Sequence, residues 1–387
     1  MHTSHKVLLT AMAAVFVMAV VLGVGGCSKP STEPATEPGM QPPSETANEA
    51  AAPATSGAQY KICISSRPGQ WNLDERERGY RETLAKEFPS ITVLQTIDDE
   101  TKYSVGEQKS SAIISANPDV AGFAGVNAAS GPGIAAAVTA AGKAGQIKVV
   151  AMDADSAILD KIQAGVITAS VAQRQYYMSY VGVKYLYGLV HGKFRKPGDA
   201  SKPGLPEVPT KIDTGTVEVN AQNVAQFRTP SQGAKEELDT KHPEWKKLLS
   251  DRKQGEARAD EEYVFIGIST GVEYWNAAKA GLDDVVKELG VKGTFTGPQD
   301  QNPEQQANTM DQIIARRPAG ILIAPGNPQT LIPYINKAME AGIPVICVDT
   351  DAPDSKRIGY FGTENYQAGC TGARILAKAL MAKAGKS

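Results

Sequence analysis

The sequence predicts an α/β protein with two similar lobes, each built on an open parallel sheet. Two stretches carry this prediction, residues 117–156 and 320–353. Each has a Pro, a short apolar strand, a loop with an Asn, a helix, an Ala-Gly stop and a second strand ending in Asp-x-Asp. Short apolar runs are typical of parallel strands covered on both faces. Two matching strand–helix–strand units far apart in the chain indicate two lobes of the same kind.

The later stretch has the clearest pattern. Residues 321–323 and 345–348 are apolar runs that predict strands. Between them, apolar residues recur at helical spacing on one face: Leu331, Tyr334, Ile335, Ala338 and Met339. Gly342 ends this helix, and Pro344 prevents it from resuming.

The remaining elements continue the alternation. The first half predicts strands at 60–65, 91–95, 168–172 and 214–219, with helices at 73–88, 107–115, 158–163 and 176–190. Residues 228–260 are charged and contain two prolines, which indicates a linker with one helix around 245–249. The second half predicts strands at 264–268, 293–296 and 358–361, with helices at 274–289, 305–315 and 366–384.

Length and composition exclude several classes of protein. The 387 residues allow two ordinary domains, and the apolar fraction of 42% is enough for their cores. A net charge of −2 does not indicate a nucleic-acid partner. The few His residues supply no zinc ligand set, and there is no Walker-type phosphate loop. We therefore expect no metal and no cofactor, and we expect a monomer.

The amino terminus predicts a lipoprotein signal peptide over residues 1–27. An apolar run over residues 7–26 ends in small residues directly before Cys27, as in a bacterial lipobox, where the Cys becomes lipidated. An uncleaved membrane anchor is the alternative, since about 20 apolar residues can span a bilayer. Residues 28–58 are rich in Pro, Glu, Thr, Ser and Ala and predict a disordered tether. We therefore expect an extracytoplasmic protein anchored to the bacterial membrane.

Three further cysteines lie in the predicted lobes. Cys63 and Cys347 fall inside strands, where they are most simply small buried apolar side chains. A disulfide between Cys63 and Cys370 stays open as an alternative in an oxidising compartment.

One motif suggests an enzyme. Residues 267–271 read Gly-Ile-Ser-Thr-Gly, which matches the nucleophile elbow of hydrolases, between a predicted strand and a helix. That mechanism needs a His after the Ser in the chain, and no His follows Ser269. We therefore expect no catalytic residues and no enzymatic activity.

The two Asp-x-Asp ends predict a binding cleft. Asp153 and Asp349 follow equivalent strands of the two units. Ligands of open parallel sheets bind beyond the carboxyl ends of the strands. We therefore expect the two carboxylates to face each other between the lobes.

Several motifs resemble the ribose-binding-like (type I) periplasmic sugar-binding proteins of ABC transporters. AGIPVICVDTD and YFGTENYQAG are similar to the amino-terminal half of that family. NLDERERGY, VVAMDAD and ITASVAQ are similar to its carboxy-terminal half, and KIDTGTVEVNAQNVAQF to its closing segment. The halves stand in reversed order, so the resemblance implies a circular permutation in which residues 228–261 join the old termini.

The resemblance implies two Rossmann-like lobes joined by a hinge of three crossings. The crossings would follow the GTEN segment, lie near the VAQ strand end, and precede the last strand of the first half. The domain boundaries are then the signal peptide 1–27, tether 28–58, carboxy-terminal-type half 59–192, hinge return 193–227, linker 228–261 and amino-terminal-type half 262–387. Most of residues 59–192 would form lobe one, and most of residues 262–387 lobe two.

The resemblance also implies the residues that bind ligand. The matching positions are Arg76, Asn127, Asp153, Gln173, Tyr274, Trp275 and Asp349, with weaker support for Trp71 and Asp351. For each, a structural role such as turn capping, a surface ion pair or helix packing stays open. Thr350 stands where the family has an Arg, and Asp99 where the ribose binders have an aromatic residue. These departures argue against ribose itself.

The implied function is capture of a monosaccharide or polyol and its delivery to an ABC permease. A repressor with the same core would need an amino-terminal helix-turn-helix, and the lipobox and tether occupy that position. A binding protein that reports its sugar to a chemoreceptor or sensor kinase remains the alternative. Both use the same cleft, so neighbouring genes for a permease or a kinase would distinguish them.

Overall fold

The structure is a computed structural model that describes residues 59–229, 240, 257–258 and 260–382. Its strands are β1 Tyr60–Ser66, β2 Ile91–Asp98, β3 Val120–Gly125, β4 Lys148–Met152, β5 Ala169–Gln173, β6 Lys211–Asp213, β7 Thr216–Asn220, β8 Glu262–Ile266, β9 Lys292–Thr296, β10 Gly320–Ile323, β11 Val345–Val348 and β12 Gly359–Gly362. Its helices are α1 Trp71–Glu87, α2 Tyr103–Ala116, α3 Ser130–Ala140, α4 Ser156–Gln163, α5 Gln175–Val190, α6 Trp275–Leu289, α7 Pro303–Arg316, α8 Pro328–Glu340 and α9 Asn365–Met381.

The strands form two sheets of the same design. Sheet one has the order β2-β1-β3-β4-β5-β7, and sheet two the order β9-β8-β10-β11-β12-β6. In each, five strands of one half of the chain follow the doubly wound order, and a sixth strand from residues 211–220 completes the edge. All neighbouring pairs are parallel except β5 and β7. The prediction of two similar parallel α/β lobes is confirmed.

Each sheet is covered on both faces, so each lobe has two cores. Ile62 and Ile64 of β1 point into the core beneath α1 and α9, whereas Cys63 between them points into the core beneath α2, α3 and α4. This alternation follows from the pleat of a strand. Cys63, Cys347 and Cys370 are buried free thiols. The structure therefore contains no Cys63–Cys370 disulfide, and the interpretation of Cys63 and Cys347 as apolar core residues is confirmed.

The chain crosses between the lobes three times within the described residues. It passes from β5 to α5 at Arg174, from β6 to β7 at residues 214–215, and from β12 to α9 at residues 363–364. Each half thus places the helix after its fifth strand on the other lobe. Asp213 Oδ1 accepts hydrogen bonds from the backbone N–H groups of Gly215 (2.8 Å) and Glu364 (3.0 Å) and so ties two crossings together. The predicted three-crossing hinge is present.

Residues 211–220 contain the strand predicted over 214–219, which is β7, and a further strand, β6, that was not predicted. The structure divides them into β6 in sheet two and β7 in sheet one, with a turn at Gly215, whose φ is 73°. The crossing between the lobes before β7 was expected from the resemblance, whereas the three residues of β6, Lys-Ile-Asp, are too few to show a strand pattern.

Several predictions concern residues outside the ranges that the structure describes. The signal peptide, Cys27, the tether and the helix around 245–249 lie outside the described residues. Within the described ranges, every helix is too short or too polar to span a bilayer. The circular permutation stays a prediction.

Candidate functional site

A cleft of about 1290 Å³ lies between the carboxyl ends of the two sheets. Lobe one lines it with residues that follow β1, β2, β3 and β4, and lobe two with residues that follow β8, β9, β10 and β11. Parallel strands place their carboxyl ends along one edge, so both lobes present loops and helix starts to the same space.

The structure brings most of the predicted ligand-binding residues to this cleft. Those that line it are Arg76, Asn127, Asp153, Gln173, Tyr274, Trp275 and Asp349. Trp71 and Asp351 are not among the lining residues. Trp71 is the first residue of α1 and is 58% exposed, and Asp351 forms an ion pair with the guanidinium of Arg357, with Nη2 2.6 Å from Oδ2.

Asp153 and Asp349 occupy equivalent positions in the two lobes. Each directly follows the fourth strand of its sheet, and each has a left-handed backbone, with φ of 75° and 61°. Their side chains are 2% and 5% exposed, although both line the cleft. Asp tolerates this conformation better than most residues, but it still costs free energy. The same backbone geometry therefore aims one carboxylate from each lobe into the cleft.

Each of these carboxylates is held by one neighbouring side chain. Tyr274 Oη donates a hydrogen bond to Asp349 Oδ1, and Gln173 Nε2 donates to Asp153 Oδ1 at 2.9 Å. Burial raises the pKa of Asp153 to about 6, against the opposing effects of the Arg76 charge and the Gln173 bond, and the Asp349 charge raises it further. Burial also raises the pKa of Asp349, while Tyr274 and Arg76 lower it.

Arg76 is the cation between the two acids. Its side chain is 2% exposed, and its guanidinium donates from Nε to Asn365 Oδ1 (2.8 Å) and from Nη1 to the Val126 carbonyl (3.0 Å). Nη2 is buried and has no hydrogen-bond partner among the described residues. Neither of these two contacts is an ion pair, so Arg76 keeps one donor group, Nη2, without a partner among the described residues.

Asn127 mainly organises its own loop. Its Oδ1 accepts hydrogen bonds from the backbone N–H groups of Ala129 (2.9 Å) and Ser130 (3.0 Å), and its Nδ2 donates to Asp99. Asp99 is fully buried and also accepts from Ser65 Oγ at 2.7 Å. Asp99 is absent from the cleft lining. It therefore supports the Asn127 loop from behind.

The two predicted aromatic residues have different surroundings. Trp275 is 4% exposed and packs edge-to-face against Phe265, with ring centroids 5.7 Å apart, so most of its ring belongs to the core of lobe two. Tyr274 packs edge-to-face on Trp275 at 4.8 Å and directs its hydroxyl to Asp349. The sequence left two roles open for this pair, helix packing and a place in the cleft. The structure shows both, because the two rings pack against each other and line the cleft.

Among the cleft residues that were not predicted as ligand-binding, three matter for the chemistry of the site: Asp155, Tyr103 and Glu273. Asp155 is 8% exposed and lines the cleft, and burial, Asp153 and Glu273 raise its pKa to about 7. Tyr103 places a half-exposed ring at the mouth; the predicted helix began four residues after it. The Asp-x-Asp pattern contained the signal for Asp155, whereas no pattern marks Glu273.

Glu273 links the lobes. This residue precedes α6 in lobe two, and its Oε1 accepts hydrogen bonds from the backbone N–H (3.1 Å) and the hydroxyl of Ser156, the first residue of α4 in lobe one. A carboxylate at a helix amino terminus is favoured by the unsatisfied N–H groups and the helix dipole. This contact joins the lobes beside the cleft.

Comparison with known proteins identifies the family. Residues 45–194 and 263–387 match the family described as periplasmic binding protein domain. The chain belongs to this family. The interruption between the two matched ranges contains the hinge return and the predicted linker.

Individual relatives of this binding-protein family match less of the chain. The D-ribose/D-allose-binding protein of Pseudomonas aeruginosa is 27% identical over 143 residues, which cover 37% of this chain and 43% of that protein. The match therefore spans less than half the length of this curated relative.

Solved structures share the fold. An ABC transporter periplasmic solute binding protein from Actinobacillus succinogenes with bound D-allose has a TM-score of 0.54 at 12% identity, covering 84% of this chain and 92% of that one. A carbohydrate transporter solute binding protein from Agrobacterium radiobacter in complex with D-arabinose has a TM-score of 0.51 at 11% identity, covering 85% and 90%. The type I periplasmic binding protein fold predicted from the motifs is confirmed.

Proposed function

We propose that the protein captures a monosaccharide or similar polyol in the cleft between its lobes. The observation that carries this proposal is the convergence of Asp153, Asp349 and Arg76 on one buried space from both lobes. Carboxylates accept hydrogen bonds from hydroxyls, and a guanidinium donates them. A family relative named for D-ribose and D-allose and neighbours with bound D-allose and D-arabinose support a sugar as the ligand.

Capture proceeds by hinge closure and involves no bond-making or bond-breaking. Asp153, Gln173 and Arg76 belong to lobe one, whereas Asp349, Tyr274 and Trp275 belong to lobe two. A ligand held by both sets makes its full complement of contacts only when the lobes are closed. Its binding therefore shifts the equilibrium from open to closed.

The protein is further proposed to be a lipoprotein that delivers its ligand to an ABC permease. Cys27 would carry the lipid, residues 28–58 would tether the lobes outside the cytoplasm, and the closed form would dock on the permease. The halves of the chain would be circularly permuted through residues 228–261. Presentation of the sugar to a chemoreceptor or sensor kinase uses the same cleft and is the alternative.

The first experiment is a thermal-shift screen with pentoses, hexoses, deoxysugars and inositols, followed by calorimetric titration of each hit. Asp153→Asn and Asp349→Asn keep the size of the side chain and its tolerance of a left-handed backbone. Each variant is expected to weaken binding at least about tenfold, because it removes a charged acceptor. Asp354→Asn, an exposed acid in the loop after β11, is the matched control. Unchanged affinity in both cleft variants would contradict the assigned site.

A further inference from the structure

The buried part of the cleft contains more acids than bases. Its lining includes four charged side chains that are less than 10% exposed: Arg76, Asp153, Asp155 and Asp349. With all four ionised, the sum of one positive and three negative charges is −2. An isolated buried charge is unfavourable unless it is paired or hydrogen-bonded. One buried cation cannot pair with three buried acids, so the buried part of the cleft lacks positive charge.

Asp155 is the least compensated of these acids. No described residue donates a hydrogen bond to its carboxylate, and its side chain does not cap α4 although it lies at the capping position. The equivalent residue of lobe two, Asp351, accepts two bonds from Arg357. The charges that act on the Asp155 carboxylate are both negative, Asp153 and Glu273. Arg174 lines a neighbouring pocket together with Asp155, and its guanidinium donates to the Tyr177 hydroxyl.

The open hydrogen-bonding groups on Gln173, Asp153 and Asp349 are also acceptors. Gln173 is 6% exposed, and its Nε2 donates to Asp153, which fixes the orientation of its amide. Gln173 Oε1 is therefore an acceptor, and it is buried without a partner among the described residues. Asp153 Oδ2 and Asp349 Oδ2 accept no hydrogen bond from described residues, since the Gln173 and Tyr274 bonds use the Oδ1 atoms. Arg76 Nη2 is a buried donor without a partner among the described residues.

From this imbalance we infer that the cleft selects a polyol that carries a protonated amine, such as an amino sugar or an aminocyclitol, over the corresponding neutral sugar. This inference rests on the proposed capture of a polyol. An ammonium group has three donors, no acceptor and one positive charge. Placed between Asp155, Asp153 and Gln173 Oε1, it supplies the charge and the donors that the protein does not, while the remaining hydroxyls bind Asp349 and Arg76.

The raised pKa values of Asp153, to about 6, and of Asp155, to about 7, agree with this arrangement, because burial favours the protonated acids and the one nearby cation, Arg76, only partly opposes this for Asp153. An ammonium ion would favour their ionised forms. Binding of an amine below neutral pH should therefore release protons from the protein. Binding of a neutral sugar lacks the charge that drives this release.

The test is isothermal titration calorimetry of the full chain without its signal peptide at about pH 7.5. The probes are glucose, galactose and mannose, their 2-amino forms, and their N-acetyl forms, which keep the nitrogen but lose its charge. A preference of at least tenfold for an amine over both its neutral parent and its N-acetyl form, in any of the three series, supports the inference. A smaller preference, or preference for the neutral forms, in all series overturns it and leaves sugar capture intact. Absence of binding by every compound overturns both.

The variant Asp155→Asn tests whether Asp155 is responsible for the preference for an amine. Asp155→Asn removes a buried charge and keeps the size of the side chain, so the variant is expected to fold, which circular dichroism checks. The ratio of amine to neutral affinity should fall at least about fivefold, whereas the exposed control Asp354→Asn should leave the ratio unchanged. An amine preference that persists unaltered in Asp155→Asn overturns the role of this carboxylate.

Discussion

At the scale of single residues, the site depends on carboxylates whose environment is set by one or two neighbours. Tyr274 donates to a buried Asp349, and Gln173 to a buried Asp153. A hydrogen bond to a charged group contributes about 1.5–3 kcal/mol when buried. These donors therefore determine both the stability of the empty cleft and the direction in which each carboxylate faces.

Tyr274→Phe tests this dependence. The Tyr274 hydroxyl lowers the pKa of Asp349, so it stabilises the ionised carboxylate of the folded state. Its removal should destabilise the protein by about 1–2 kcal/mol at pH 8, and by less near pH 4, because burial raises the pKa of Asp349 and less of its carboxylate is ionised there. Urea denaturation at both pH values measures the difference. An equal loss at both would show that the hydroxyl does not act through the carboxylate.

The limits of sequence reasoning also appear at single residues. The two Asp-x-Asp ends look alike, and their first members both reach the cleft. Their second members differ, because Arg357 forms an ion pair with Asp351 whereas no cation of the described residues forms an ion pair with Asp155. A partner six residues away in a loop has no signature in the sequence. The contact between Ser156 and Glu273 joins residues 117 positions apart and could not be predicted from any local pattern.

At the scale of elements, most of the fold could be predicted because the apolar runs and helix stops are local signals. The two strand–helix–strand units became β3-α3-β4 and β10-α8-β11, with the same relative positions in their sheets. The short strand β6 was not predicted, because three residues show no strand pattern and its pairing with β12 is set by tertiary contacts. Local sequence patterns thus predict the helices and strands, whereas tertiary contacts determine which strands pair with each other.

The contact between α1 and α9 positions Arg76. A Cβ on Gly369 of α9 would lie 2.0 Å from the Arg76 carbonyl, and one on Gly79 of α1 would lie 2.1 Å from the Tyr366 carbonyl. Both are backbone contacts that no side-chain rotation relieves. The two helices therefore approach closely only because these residues are Gly, and Asn365 at the start of α9 can then accept the Arg76 bond.

Gly369→Ala should force these helices apart. We expect a loss of stability of about 1–3 kcal/mol, as for overpacked cores, and weaker ligand binding because Arg76 moves. Gly106→Ala is the control, since Gly106 also lies in a helix but its added Cβ would be 3.6 Å from the nearest atom, an ordinary contact. That variant should gain up to about 1 kcal/mol from helix propensity. Thermal unfolding and calorimetric titration of both variants check the prediction, and a Gly369→Ala protein with wild-type affinity and stability would contradict it.

At the scale of the whole molecule, closure depends on contacts that join the lobes without ligand. Glu273→Gln keeps the shape of the side chain but removes the charge that binds the start of α4. The contact is exposed, so we expect the variant to destabilise the closed form relative to the open form by about 1 kcal/mol. Ligand dissociation, followed by stopped-flow fluorescence, should accelerate about threefold to tenfold. Glu304→Gln, an exposed acid in the first turn of α7, should leave the dissociation rate unchanged; equal rates in the two variants would remove Glu273 from closure.

The pH dependence of stability also belongs to the whole molecule, because both lobes contribute buried acids. Burial raises the pKa of Asp153, Asp155 and Asp349 in the folded state, so between about pH 4 and pH 7 the folded state binds more protons at these sites than the unfolded state. Their contribution to stability is therefore favourable at low pH and is lost as the pH rises through their folded pKa values. Other carboxylates, such as Glu87 beside Arg374, have lowered pKa values and act in the opposite direction. The difference in stability between wild type and a variant that lacks one buried acid isolates the contribution of that acid to the pH dependence.

Asp155→Asn should therefore stabilise the ligand-free protein at pH 8 and have little effect at pH 4. A pKa unit corresponds to about 1.4 kcal/mol, and partial solvent access reduces the full effect, so we expect a gain of about 1–3 kcal/mol at pH 8. Urea denaturation curves at pH 4, 6 and 8 measure it, and Asp354→Asn should give no pH-dependent difference because that acid is exposed. Parallel pH profiles for wild type and Asp155→Asn would mean that Asp155 titrates alike in the folded and unfolded chain. If this gain in stability disappears when an amine is bound, the buried charge of Asp155 is also the charge that the ligand compensates, since the ligand then supplies the cation that the empty cleft lacks.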